Sequence, residues 1–131
     1  MFIGHGSPTN IVRDNVFTQS LRALGEKTEK PKALLVVSAH WITQGETSVS
    51  TNPKPQTIYD FGGFDPALRR LVYPAPGAPE LAAQVADLLK QAGIESRLEE
   101  GRGYDHGTWV PLLLMRPQAD IPVVQLSVNP E

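Results

Sequence analysis

The chain has 131 residues and no cysteine. That absence excludes disulfides, thiolate catalysis and cysteine metal sites, so any metal must be held by His, Asp or Glu. It also fits a reducing compartment, and a cytoplasmic location is the default expectation. Charge of one sign is missing as well: 12 Lys and Arg against 14 Asp and Glu leave a net charge of −2. Without a basic run there is no electrostatic reason to expect nucleic acid or an anionic membrane as partner. No apolar run approaches the ~20 residues that span a bilayer, and none follows a basic leader. Aromatic residues are few, at 7%, so the places where they gather carry information.

What remains is an ordinary globular composition, 40% hydrophobic and 20% charged. It predicts a single domain over residues 1–131, large enough to bury roughly two thirds of its unfolded-chain surface. No internal repeat or inner boundary is visible. The chain opens inside a strand-like pattern at Met1 to Ile3 and closes on another at Ile121 to Val128, from which a shortened version of a larger domain is expected.

The organising stretch is Lys32 to Trp41, KALLVVSAHW. Five apolar residues without alternation, Ala33 to Val37, predict a parallel strand buried on both faces, with His40 just past its carboxyl end. Ligands of open α/β sheets bind at that edge. Met1, Phe2 and Ile3 predict a first strand that runs into Gly4-His5-Gly6-Ser7-Pro8.

Asp14 to Gly25 reads as a helix with a Val16, Phe17, Ser20, Leu21, Leu24 stripe, capped by Asp14 or Asn15 and ended by Gly25. Thr47 to Thr51 permits a short strand. Ile58 to Phe64 is a loop of aromatics, glycines and an acid, readable as an apolar wall for a flat ligand or as a packed Ω-loop. Tyr73 to Gly77 is a rigid extended linker, and Pro79 to Gly93 is the best-marked helix. Ile94 to Leu98 reads as a strand. A Gly101 to Gly107 loop then carries the third histidine, Thr108 to Arg116 reads as a buried helix with Pro111 in its first turn, and Ile121 to Val128 as a last strand. Alternating strands and helices predict an α/β/α sandwich: a mainly parallel sheet with helices on both faces.

All three histidines, His5, His40 and His106, stand at strand ends or between glycines. Neighbouring strands lie about 4.8 Å apart, so His5 and His40 at adjacent carboxyl ends can share one divalent ion. A third ligand is needed, and none of Asp14, Asp60, Asp65 and Asp105 has a spacing that singles it out.

Five ordered motifs carry a resemblance: GHGSP at Gly4 to Pro8, SAHW at Ser38 to Trp41, DFGGF at Asp60 to Phe64, YPAPG at Tyr73 to Gly77 and DHGTW at Asp105 to Trp109. In order and spacing they resemble the amino-terminal half of the DODA-type, LigB-like class III extradiol aromatic ring-opening dioxygenases. The resemblance implies an α/β/α fold, His5 and His40 as ligands of Zn²⁺ or Fe²⁺, and His106 beside the active site. It also implies O₂-dependent opening of a catechol-type, DOPA-like ring. His106 is then the candidate acid–base catalyst, and Trp41, Tyr59, Phe61 and Phe64 are candidates to flank the substrate ring.

Members of that family are about twice as long and draw further active-site histidines from their second half, so the site is expected to be incomplete in this chain. Two other readings stand beside it. One is a non-catalytic metal- or ligand-binding relative on the same fold. The other is a small tetrapyrrole metal chelatase, which shares a GHGS-like corner but has no place for SAHW, DFGGF or DHGTW. Partners are expected to be a small aromatic substrate and O₂, and a homo-oligomer is compatible with the sequence.

Overall fold

The computed structural model describes residues 1–63 and 66–131. Four strands form one sheet: β1 (Leu34–Ile42), β2 (Thr47–Ser50), β3 (Ser96–Glu99) and β4 (Val123–Val128), in the spatial order β1-β4-β2-β3. β1 pairs with β4 and β2 with β3 in parallel, while β2 meets β4 antiparallel. The sheet is therefore mixed and mainly parallel, and the α/β expectation holds.

Three helices cover it: α1 (Val16–Lys27), α2 (Pro79–Gln91) and α3 (His106–Met115), with short 3-10 turns at Pro8–Val12 and Pro66–Arg70. Successive residues of β4 point to opposite faces, and its two neighbours at the start show which helix lies where. Val123 belongs to a core with Trp109, Val110 and Leu112 of α3. Val124 joins Val49 of β2 with Ala82 and Val85 of α2. A strand in the middle of such a sandwich must be apolar on both sides, and Val123-Val124 at its start supplies that.

Several expectations are corrected. Met1 to Ile3 form no strand: Phe2 is 98% exposed, and no described strand pairs with them. β1 is not buried on both faces. Among the described residues it lies at the sheet edge, paired only with β4, and Leu35 and Val37 are 51% and 57% exposed. They share the α2 face of the sheet with Val124, the register partner of Leu35, but α2 covers β2, β3 and β4 rather than β1. β1 also runs on through His40 and Trp41 to Ile42, so His40 lies inside the strand.

The cap of α1 is Asn15, which forms a reciprocal capping box with Thr18. The helix continues past Gly25 to Lys27, and its buried residues are Thr18, Leu21 and Gly25 rather than the whole apolar stripe. Gly25 is a crossing point: a Cβ there would stand 2.0 Å from the Met115 carbonyl oxygen of α3. α3 starts two residues before the predicted Thr108, because Asp105 caps it. Pro111 therefore falls in the helix interior, where it cannot donate to the Gly107 carbonyl. The almost all-round burial of α3 offsets that loss, since each large apolar side chain removed from water contributes about 1.5–3 kcal/mol.

The Tyr73–Gly77 linker is extended and half inside the protein. Tyr73 and Ala75 are buried, the Tyr73 hydroxyl donates to the Arg116 carbonyl, and the Val123 N–H donates to the Pro76 carbonyl at the start of β4. Burial pushes the Tyr73 phenol up to about 12, so it stays a proton donor at neutral pH.

Candidate functional site

The site forms where the end of β1 meets the start of α3, and one acid joins them. The Asp105 carboxylate, fully buried, accepts from the Thr108 N–H at 3.1 Å as the α3 cap and from the Ser38 hydroxyl of β1 at 2.7 Å. It also accepts from the Arg102 guanidinium at 2.8 Å. A buried carboxylate is tolerable only when paired and hydrogen-bonded, and here all three partners come from the pieces that must be brought together. The Ser38 hydroxyl accepts in turn from the His40 N–H at 3.2 Å. His40 and His106 are thus tied, by backbone, to one anchor.

Gly107 makes the approach sterically possible. A Cβ at this position would stand 2.7 Å from both His40 Cδ2 and Ser38 Oγ, distances that real Cβ atoms do not show. His5 arrives from the Gly4–Pro8 corner, where Gly6 takes a left-handed φ of 64°, a region open to glycine at little cost. The Ser7 hydroxyl caps the following 3-10 turn, and the Asn10 side chain donates to the His5 carbonyl at 3.3 Å.

The three imidazoles converge. His5 Nε2 and His40 Nε2 stand 2.9 Å apart, and the His106 ring centroid lies 3.9 Å from that of His40 and 5.0 Å from that of His5. One donor nitrogen from each lies within 4.8 Å of the others. His5 Nδ1 faces the Gly6 carbonyl at 2.8 Å, which puts its proton on Nδ1 and leaves Nε2 as a lone pair. The donor set suits a divalent ion, since neutral imidazole binds Zn²⁺ and Fe²⁺ at about 2.1 Å, so two donors of one ion stand at most ~4.2 Å apart. The His5–His40 pair meets that limit, with His106 beside it.

A loop neither strand nor helix forms the wall beside His106. Ile58 and Tyr104 are joined by an N–H to carbonyl bond of 2.7 Å next to a parallel bridge between Thr57 and Tyr104, and the Trp109 indole donates to the Ile58 carbonyl at 2.9 Å. Held this way, the loop brings Asp60 Oδ1 within 2.9 Å of the His106 N–H and of its ring Nδ1. Burial opposes ionisation of Asp60, but the His106 N–H and ring hold its carboxyl below the usual carboxylate range.

Among the aromatic candidates, Phe61 stands edge-on to His106 at 5.6 Å, with the Arg69 guanidinium 5.8 Å from its own ring centroid. Tyr59 is one ring further out, edge-on to Phe61 and Trp109 and anchored through its hydroxyl to the Leu71 carbonyl. Trp41 is buried beneath the Arg102 guanidinium at 5.1 Å, and among the described residues it makes no ring contact with a histidine. Phe64 lies outside the described residues.

The structure therefore brings together His5, His40, His106 and Phe61, and sets Tyr59 and Trp41 apart. It adds Ser38, Asp60, Arg102, Asp105 and Gly107, which sequence reasoning did not single out. Four of them sit inside the SAHW, DFGGF and DHGTW motifs, but bonds spanning 67 residues (Ser38 to Asp105) and 46 residues (Asp60 to His106) leave no trace in local spacing. His106 is buried, and Gly103 and Gly107 on either side of it pack tightly against Gln56 and against His40 and Ser38. An open cleft of about 640 Å³ lined by Tyr59, Val72 and Pro74 through Pro76 lies elsewhere and touches none of the three histidines.

With the three histidine motifs assembled at one place, comparison with known proteins decides the lineage. Residues 1–130 match the family described as the catalytic LigB subunit of aromatic ring-opening dioxygenase. The chain belongs to the LigB family. It is 50% identical over 130 residues to a 4,5-DOPA dioxygenase extradiol of Escherichia coli K12, covering 98% of this chain and 47% of that protein. A protein of the same name from Beta vulgaris is 49% identical over 132 residues, covering 98% and 49%. The crystal structure of an uncharacterized Escherichia coli K12 protein superposes with a TM-score of 0.68 at 41% identity, covering 88% of this chain and 41% of that one. The chain thus spans about half the length of the curated relatives it matches. Membership in the LigB family sets aside the chelatase reading. No described helix is long and apolar enough to cross a membrane.

Proposed function

We propose that this LigB-family chain forms the metal-holding half of an extradiol dioxygenase site that opens a catechol-type, DOPA-like ring with O₂. His5 and His40 would hold one Fe²⁺ or Zn²⁺, and His106 would act as the acid–base group. The observation that carries this reading is the convergence of His5, His40 and His106 from three distant motifs, with donor nitrogens within 4.8 Å of one another. Relatives named as extradiol dioxygenases support the reaction class.

The bound ion would supply a Lewis-acid anchor for both catechol oxygens with positions left open for O₂. The chain's own residues do the rest. His106 is buried and fixed by the α3 cap on one side and the Asp60 loop on the other, so its ring can take a phenol proton at one place and return it. Phe61, edge-on to His106, offers an apolar flank for a flat ring, and Tyr59 backs it up with a hydroxyl already engaged on Leu71. Trp41 supports the His40 end of β1 from beneath Arg102. His40 is exposed and His5 half-exposed, so the metal side is open to water among the described residues. The remaining wall would come from sequence equivalent to the other half of the relatives.

A second reading follows from that openness. By itself, the 131-residue chain binds metal without turnover. Anaerobic loading with Fe²⁺, then exposure to L-DOPA or catechol and O₂, should give no yellow ring-opened product above a metal-only control. The same chain fused to the carboxyl-terminal half of the Escherichia coli relative should give it, and His106→Ala in the fusion should lower turnover roughly 10²-fold with metal content retained. A metal-loaded fusion that is inert towards catechols would sink the dioxygenase reading.

A further inference from the structure

We propose that Asp60 is the positioning residue for His106: it takes the Nδ1 proton of the ring and so determines that Nε2 faces His5 and His40. The inference builds on the acid–base role given to His106 but stands on separate geometry.

One carboxylate oxygen, Oδ1, serves two atoms of the same residue. It accepts the His106 main-chain N–H at 2.9 Å and lies 2.9 Å from ring Nδ1. The N–H belongs to the first residue of α3, one of the helix donors that have no partner within the helix. Asp105 satisfies Thr108 and Asp60 satisfies His106, so two acids cap one helix from opposite sides. Nδ1 itself is buried and makes no well-aligned hydrogen bond; it meets the distance to Asp60 without the ideal direction.

That close approach constrains the ring chemically. An ionised carboxylate can only accept, so a lone pair on Nδ1 at 2.9 Å would face another lone pair with no water to intervene. The favourable arrangement places the proton on Nδ1 and the lone pair on Nε2. Histidines that bind metals or move protons commonly have their second nitrogen set this way by a carboxylate. The Asp60 loop is built to hold such a position. It is paired to Tyr104 next to the Thr57 bridge, tied by the Trp109 indole at Ile58, and braced where the Arg69 guanidinium donates to the Phe61 carbonyl at 2.9 Å. The Phe61 ring, one residue on, meets His106 edge-on, so a single short loop fixes both the direction and the rotation of the imidazole.

The test reads the tautomer directly and needs neither metal nor turnover. Metal-free protein with ¹⁵N-labelled histidine is held at a pH where the rings are neutral, and two-bond ¹H–¹⁵N correlations report which nitrogen of His106 carries the proton. Wild type should show the proton on Nδ1. Asp60→Ala, which removes the acceptor, should lose that state as the major form, and Asp60→Asn, which keeps an acceptor oxygen of the same reach, should restore it. A merely structural Asp60 would lower the melting temperature of the Ala variant and leave the tautomer as in wild type. His106 protonated on Nε2 in wild type, or unchanged in Asp60→Ala, overturns the inference. If the Ala variant does not fold, the wild-type spectrum decides alone. Either outcome leaves the metal and turnover tests of the proposed function standing.

Discussion

Two of the three histidines are framed by glycines in almost the same way, Gly4-His5-Gly6 and Gly103 to Gly107 around His106, yet the two corners are built differently. Nothing lies within 4 Å of a Cβ placed on Gly4, whereas one on Gly107 would stand 2.7 Å from His40 and Ser38 and one on Gly103 would strike the Gln56 carbonyl at 2.3 Å. His5 is held by its own neighbours, through Gly6 and Asn10. His106 is held by distant segments, directly through Asp60 and, by way of the adjoining Asp105, through Ser38 of β1. The first corner is shaped by local backbone conformation, the second by packing. A locally shaped side chain is easily displaced, while a packed one is ready in place but depends on the whole fold.

The comparison can be broken at three points. The largest effect is expected from Asp105→Ala, which leaves Arg102 and Ser38 without their shared acceptor and removes the α3 cap. Because Arg102 keeps some solvent contact, the cost is set at about 3 kcal/mol, the low end for breaking a buried pair, read as a shift in a urea melt. An unchanged midpoint would show that the packed corner does not depend on its acid.

Gly107→Ala comes next. The neighbours are two β-strand side chains, His40 and Ser38, and the Asp105 helix cap, so about 2 kcal/mol of overpacking strain is expected, with loss of metal binding as His40 is pushed aside. Gly4→Ala at the mirrored position should stay within ~0.5 kcal/mol, and equal melts for the two variants would erase the distinction. The smallest effect on the fold, with a specific effect on the site, is expected from His5→Ala. Bound Zn²⁺ or Fe²⁺ should fall well over tenfold by mass spectrometry or titration, with the melting temperature of the metal-free protein nearly unchanged, and His40→Ala should match it in metal loss. Metal content equal to wild type in both would remove the site.

Much of this was legible in the residues. The α2 helix announces itself through Pro79 and its apolar period, β4 through the strand-like run at Ile121 to Val128, and the family through motifs whose order survives in a single chain. Less legible was anything that depends on a neighbour. Val36 and Val37 look alike in sequence, but of the two only Val36 packs on the core, because among the described residues β1 has one partner strand and α2 lies over the other strands. The predicted first strand failed for the same reason: Met1 to Ile3 is apolar enough for a strand but has no partner ladder among the described residues. Pro111 reads as tolerated in a first turn until the Asp105 cap moves the helix start back and leaves the proline in the interior.

Sequence alone determined which atoms are available for chemistry. With no cysteine, three histidines and motifs of a known order, it limits the metal donors to imidazoles and carboxylates and points to His5, His40 and His106. Tertiary structure alone decided that these three meet and how each ring is held. The contacts that do this, Ser38 to Asp105, Asp60 to His106 and Gly107 against His40, join residues far apart in the chain. Periodicity and spacing report how a residue relates to its neighbours within a turn or a strand. They carry no information on which distant segment will pack against it, because that is settled by the shared burial of whole elements.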